Sequence, residues 1–245
     1  MAVFSAYFDA SGVKQMRVLT VAGFVTTVRK WDRFDGEWSA LLAGEALSAM
    51  HMTDFASSQG EFASWKGQTE RRREFMDRLC ACIKRNTNKG FASSLVLSDY
   101  GVLNAEFRLM ETVGQPFTLC MRSCLGGLKL WAKRKKVTTD RLLVYIEHGD
   151  QDQGELIKRA RDDGFKIIPL FKADAQAFQA GDLAAWKSRV AIEDVTYGPL
   201  ESEADFKKIV RSLDPIKHIV QNNGAYDAEA LRKLCLGGQV PRRTG

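Results

Sequence analysis

Two β-prone runs stand near the head of the chain, residues 3–8 and 17–27, with only the short link ASGVKQM between them. The first places Val3, Phe4, Tyr7 and Phe8 in a strand-like pattern, and the second, RVLTVAGFVTT, is rich in β-branched and apolar side chains. So short a link cannot hold a crossover helix, so the two runs are expected to pair as an antiparallel hairpin. After them the period changes. Trp31, Phe34, Trp38, Leu41 and Leu42 recur at helical spacing, and a second amphipathic helix over 67–86 puts Phe75, Leu79, Cys82 and Ile83 on one face. GFASSLVLS (90–98) reads as a third strand, and helices over 101–112 and 116–135 follow, Pro116 suiting a first helical turn. DRLLVYIEHGD is a fourth strand ending in acids. A helix closed by Gly164, a fifth strand in FKIIPLFKA and the helix DAQAFQAGDLAAWKSRVAIED complete the alternation. Pro169 points to an edge position for the fifth strand.

An antiparallel start followed by strand–helix alternation predicts an α/β fold, a mixed five-stranded sheet flanked by helices. Residues 1–196 read as this domain and residues 197–245 as a helical C-terminal extension, with helical segments around 203–213 and 226–235.

With 245 residues, 45% of them hydrophobic, the chain can bury a sizeable core. No stretch approaches the roughly 20 apolar residues of a membrane helix, and the first residues lack a basic leader, so a soluble cytoplasmic protein with no membrane partner is expected. Five cysteines, an odd number, argue against a disulfide framework, and neither Cys80-x-Cys82 nor Cys120 and Cys124 at i,i+4 makes a zinc ribbon. They read as small buried hydrophobes. The net charge of +6 favours a polyanionic partner. Basic residues bunch in ERRREF, WAKRKK and PRRTG, although each run alone also suits a solvated helix face or a tail.

The acids are placed unusually. Asp9 ends the first strand in YFDASG, Glu147 ends the fourth in VYIEHGD, Asp182 lies inside the helix FQAGDLAAW, and Asp54 lies in HMTDF. Each sits in or beside an apolar stretch, where an unpaired carboxylate is costly. The Asp182 helix is small-sided, with Ala177, Ala180, Gly181, Ala184 and Ala185, and a helix so built can press against a sheet and bring a short carboxylate to acids at strand ends. Several carboxylates cannot share a small site as bare anions, and a divalent cation resolves the repulsion. Hard oxygen ligands suit Mg²⁺ or Mn²⁺, which activate water and stabilise a leaving oxygen in phosphodiester cleavage. Other roles stay open at this point: Asp54 or Asp174 as helix caps, Asp182 paired with Lys187 or Arg189, and Asp150 or Asp152 in place of Glu147. Ser11 either bonds the Asp9 carboxylate or completes the turn. Trp65 and Trp186 either stack bases or belong to the core, and Lys172 and Lys187 either hold phosphates or are solvated.

YFDASG, VAGFV followed by W…F…W, HMTDF, VYIEHGD and FQAGDLAAW together resemble the domain-of-unknown-function family 3800, over roughly residues 3–192. The resemblance implies a ribonuclease H-like fold and a metal-dependent nuclease site. Asp9, Glu147 and Asp182 match its metal-binding acids, and His51 and Asp54 match a motif holding a histidine and an acid. Two positions depart from the family pattern: Ala10 stands where Glu is usual and so cannot be a ligand, and Gly181 stands where Ala is usual, a change expected to matter little. His51 would shuttle a proton or orient water, or would merely bond a loop. The expected function is thus a metal-dependent nuclease acting on RNA or DNA, in a defence or mobile-element setting, with a protein partner or a homo-oligomer compatible with it. The alternative is a non-catalytic nucleic-acid- or protein-binding module on the same fold, for which the missing acid at Ala10 argues. Neither a Gly-rich phosphate cradle nor a G-x-S-x-G elbow is present, which disfavours nucleotide and serine hydrolases.

Overall fold

A computed structural model describes residues 3–12, 16–149, 152–198 and 220–242. The hairpin forms as the short link requires: β1 (Phe4–Ser11) pairs antiparallel with β2 (Val18–Thr27), Phe4 opposite Thr27 and Ser11 opposite Thr20. β2 then pairs antiparallel with β3 (Lys89–Val96). On the other side of β1, β4 (Leu142–Glu147) and β5 (Ile167–Leu170) add in parallel. Pro169 sits on the outermost described strand, where its missing N–H costs the sheet nothing.

Among the described residues the sheet has six strands, not five, in the order β5-β4-β1-β2-β3-β6. The sixth, β6 (Val220–Tyr226), runs parallel to β3 with a register shift between Ala92 and Ser93. Part of the segment read as a helical extension is therefore a strand of the main sheet. Its sequence, VQNNGAY, has no apolar alternation and none of its residues is fully buried, so nothing in its pattern marks it as a strand. The helix expected at 226–235 is present as the short helix Ala228–Leu234, while 203–213 lies outside the described residues.

Helices cover both faces. Over one lie α6 (Pro116–Lys135) and α7 (Gln153–Asp162), closing a core around Phe8, Val21, Phe91, Leu128, Trp131 and Ile146. Over the other lies α8 (Ala177–Tyr197), with α1 (Val28–Gly44), α2 (Met52–Ser57) and α3 (Thr69–Asn86) packed outside it. Trp31, Phe34 and Trp38 are all buried, as the spacing predicts; Trp31 meets Phe34 edge-on with centroids 5.2 Å apart, and Phe34 stacks on Trp38 at 4.9 Å. The helix expected over 101–112 is broken into α4 (Leu97–Glu106) and α5 (Leu109–Val113), because Phe107 turns extended and bridges Arg242. In chain order, Ala228–Leu234 is α9. All five cysteines are free and buried, and no described helix is long and apolar enough to cross a membrane.

Candidate functional site

β1 and β4 lie side by side and parallel, in register from Phe4 opposite Leu142 to Phe8 opposite Ile146. One residue further along each strand stand Asp9 and Glu147, both at carboxyl ends. They share the sheet face of Tyr7 and Tyr145, whose rings stack 4.7 Å apart. The chain runs from β1 to β2 on one side and from β4 to β5 on the other, so the two acids stand where the direction of winding reverses, the usual position of a crevice in an open α/β sheet.

α8 lies against this face, and its small residues are what let it approach. A Cβ on Gly181 would sit 3.1 Å from Asp9 Cβ and 3.3 Å from both Asp9 N and Ala22 O. Glycine there does more than replace alanine at little cost, because it sets the distance between helix and strand. The next residue, Asp182, is 5% exposed and Asp9 only 2%. The three acids predicted from their sequence positions are thus brought together.

What joins them is Lys172, in the turn after β5. Its Nζ lies 2.6 Å from Asp9 Oδ2, 3.8 Å from Glu147 Oε2 and 3.8 Å from Asp182 Oδ2. Burial raises the Asp9 carboxyl well above its ordinary range; the Lys172 ammonium opposes this, and the neighbouring Asp182 and Glu147 reinforce it. On Lys172 burial acts to discharge the ammonium, but the three carboxylates, Asp9 first, outweigh it and the pKa rises. The remaining bonds anchor the cluster: Asp9 Oδ1 accepts the Ala10 N–H at 2.7 Å, and Asp182 Oδ2 accepts the Met52 N–H at 3.0 Å.

The HMTDF segment is therefore tied to the site through its backbone. Gln179 Oε1 also accepts the Met50 N–H at 2.7 Å and the Trp38 Nε1–H at 2.9 Å, so one amide and one carboxylate of α8 hold the whole turn. The His51 and Asp54 side chains meet each other instead, Nδ1 to Oδ2 4.0 Å, both about half exposed. None of the three acids is among their hydrogen-bond or ion-pair partners in the described residues. Asp150 lies outside the described residues; Asp152 precedes α7 at φ +60, and Asp174 is exposed in the turn after Lys172. Gln176, not Asp174, occupies the cap position of α8. Ser11 Oγ accepts from Arg189 Nε at 3.1 Å rather than bonding Asp9. Trp65 and Trp186 are buried at 2% and 3%, so they belong to the core and offer no stacking face. Ala10 packs against the α6 face, so a longer side chain there would point away from the three acids.

Two features of the site have only a faint sequence signal. Lys172 follows a strand like many solvated lysines, and only the sheet order shows that it reaches three acids. Beside it, Phe171 is 60% exposed with its ring 4.6 Å from that of His148, the neighbour of Glu147.

The donor set suits a hard divalent cation, for three carboxylates surround one cationic position. Among the described residues no group of three or more His, Cys, Asp or Glu closes tightly enough to hold an ion by itself, and Nζ stands at the centre. The lysine side chain is a quarter exposed, which leaves it a path outward. An ion would be held by Asp9, Glu147 and Asp182 with Lys172 withdrawn. No protein-family model matches the chain, and no curated protein matches it.

Proposed function

We propose that the chain is a Mg²⁺- or Mn²⁺-dependent nuclease of ribonuclease H-like type, related to the domain-of-unknown-function family 3800, hydrolysing phosphodiester bonds in RNA or DNA. The observation that carries this reading is the convergence of Asp9, Glu147 and Asp182, far apart in the chain, on one cation at the carboxyl ends of adjacent parallel strands. Bound there, a divalent ion supplies an activated water and charge stabilisation for the leaving oxygen. The chain's own part is positional. Asp9 is fixed by the Ala10 N–H and Asp182 by the Met52 N–H, so both present a set oxygen to the crevice. Lys172, once displaced, is an ammonium beside the site able to neutralise a substrate phosphate. The exposed Phe171 and His148 rings offer a face to a base next to the strand ends.

Asp9→Asn and Asp182→Asn each keep side-chain size and remove charge. Both are expected to reduce Mn²⁺-dependent cleavage of nucleic acid below detection while the protein still melts cooperatively. Wild-type protein that neither cleaves RNA or DNA with Mn²⁺ nor binds Mn²⁺ by calorimetry would overturn the proposal. One observation favours the second reading, a non-catalytic module: Lys172 already neutralises part of the acid charge without any metal. That reading predicts nucleic-acid or protein binding that ignores both Mn²⁺ and the two Asn substitutions.

A further inference from the structure

At the opposite end of the sheet from the acids lies a cavity of about 630 Å³ that the proposed chemistry does not use. It is bordered by the start of β1 (Phe4), the first turn of α1 (Lys30), the residues just before β3 (Thr87 and Asn88), and the end of α6 with its link to β4 (Trp131, Lys135, Lys136, Val137 and Arg141). Four of these nine residues are cations, and no carboxylate is among them. Trp131 forms an apolar floor, 6% exposed, its ring edge-on to Phe4 at 5.5 Å. Lys30 Nζ is aimed by a 2.8 Å bond to Asn88 Oδ1, while Lys135 and Lys136 stand exposed at the mouth.

Helix electrostatics explains part of this and no more. Lys133, Arg134 and Lys135 occupy the last turn of α6, where cations complement the helix dipole. That account does not reach Lys30 or Arg141, which come from other elements. Nor does it explain Lys136, which closes α6 at φ +55, a left-handed position where glycine is the residue of least strain. The chain keeps a long cation at a strained backbone position facing the cavity.

We infer that this cavity is a phosphate-binding site for the backbone of a nucleic-acid strand, separate from the acid cluster. The charge is not confined to a pocket that would enclose one small anion. Beyond the four cations that line it, Lys133 and Arg134, both exposed, adjoin Lys135 in the last turn of α6, so a strand carrying several phosphates meets further positive charge outside the cavity. Recognition is of backbone charge, without base specificity, because Trp131 is buried and the partly buried Phe4 is already packed edge-on against it. The acids lie about 17 Å away along β1, at about 3.3 Å per residue from Phe4 to Asp9, so this site grips a strand and does no chemistry.

The test is fluorescence anisotropy of a labelled oligonucleotide with the full chain in EDTA, where no cleavage occurs, across a salt series. The triple variant Lys135→Ala, Lys136→Gly, Arg141→Gln is compared with wild type. Glycine at 136 relieves the left-handed position, Lys135 is exposed, and glutamine keeps a polar side chain at the half-buried Arg141, so a cooperative thermal melt reports intact folding of the variant. The expected result is an affinity about tenfold or more weaker and a salt slope shallower by about two to three, one counterion per lost phosphate contact. Lys233→Ala removes an exposed cation that neither borders the cavity nor touches the acids and should bind as wild type does; because the assay needs no metal and no cleavage, its outcome is separate from the nuclease reading. Unchanged affinity and slope in the triple variant would overturn the inference, as would loss of binding in Lys233→Ala equal to that in the triple variant. Displacement of the strand by tripolyphosphate at matched phosphate concentration would overturn it too, by assigning the cavity to small phosphates.

Discussion

Lys172 decides the charge balance of the acid cluster, and its removal gives the sharpest residue-scale prediction. With the ammonium gone, Asp9 keeps its burial and the repulsion of Asp182 and Glu147 and loses the one group that opposes both. Breaking a buried ion pair on one side costs about 3–5 kcal/mol, because the remaining charge is stranded. Lys172→Met should therefore lower the melting temperature in EDTA and raise affinity for Mn²⁺ about tenfold, since the metal no longer competes with an internal cation (one factor of ten being about 1.4 kcal/mol). Mn²⁺ should restore most of the lost thermal stability in the variant and add little to wild type. Melting curves with and without Mn²⁺, alongside calorimetry, measure both effects. Equal Mn²⁺ affinity in the two proteins would mean that the lysine and the ion do not share a position. Asp9→Asn differs in kind: the amide leaves Lys172 with Glu147 and Asp182 as partners, so stability should change less than in Lys172→Met.

Among the elements, α8 sets the geometry. Its run of Ala177, Ala180, Gly181, Ala184 and Ala185 is legible as a close-packing face because residue size itself records the approach, and the 3.1 Å clearance at Gly181 bears this out. The hairpin, the Trp31–Phe34–Trp38 face and Pro169 at the edge are legible for similar reasons, each following from a local period or a missing donor. What is not legible depends on distant partners. β6 takes its strand conformation from β3, not from its own polar sequence. HMTDF is visible as a motif, yet what it gives the acids is the Met52 N–H, and reading side chains could not find it. Gly181→Val should expose how closely α8 is set. Filling that space forces helix and strand apart, costing about 1–3 kcal/mol as overpacking does. It also carries Asp182 away from Asp9, so Mn²⁺ affinity should fall as the urea midpoint falls. A variant destabilised to that extent with unchanged Mn²⁺ affinity would show that the Asp9–Asp182 distance does not govern metal binding.

At the scale of the whole molecule the sheet separates two charged ends, acids at the carboxyl ends of β1 and β4 and cations around the start of β1, while its two cores stay apolar enough to hold thiols away from water. That exclusion has a measurable consequence. Burial pushes the thiols of Cys80, Cys82 and Cys120 from an ordinary 9.0 up to about 12, and that of Cys124 well above 9.0. Unfolded, the same thiols ionise as pH passes 9, whereas in the folded chain those of Cys80, Cys82 and Cys120 remain protonated until about 12 and burial holds that of Cys124 protonated well above 9.0. A group whose pKa is higher in the folded state contributes stability that is complete below its unfolded value and disappears as pH climbs through the folded one. The free energy of unfolding should therefore be level from neutrality to about pH 9 and then decline steadily toward pH 12, each unit of difference being worth about 1.4 kcal/mol per thiol. Urea midpoints taken in steps across that interval measure it. Cys120→Ala and Cys124→Ala, although less stable at neutral pH from the lost packing, should decline less steeply above pH 9, because one ionisation that burial suppresses is gone. Parallel declines in wild type and both variants would trace the alkaline loss to groups other than the buried thiols, with Tyr7, pushed up to about 12 chiefly by burial, the next to test.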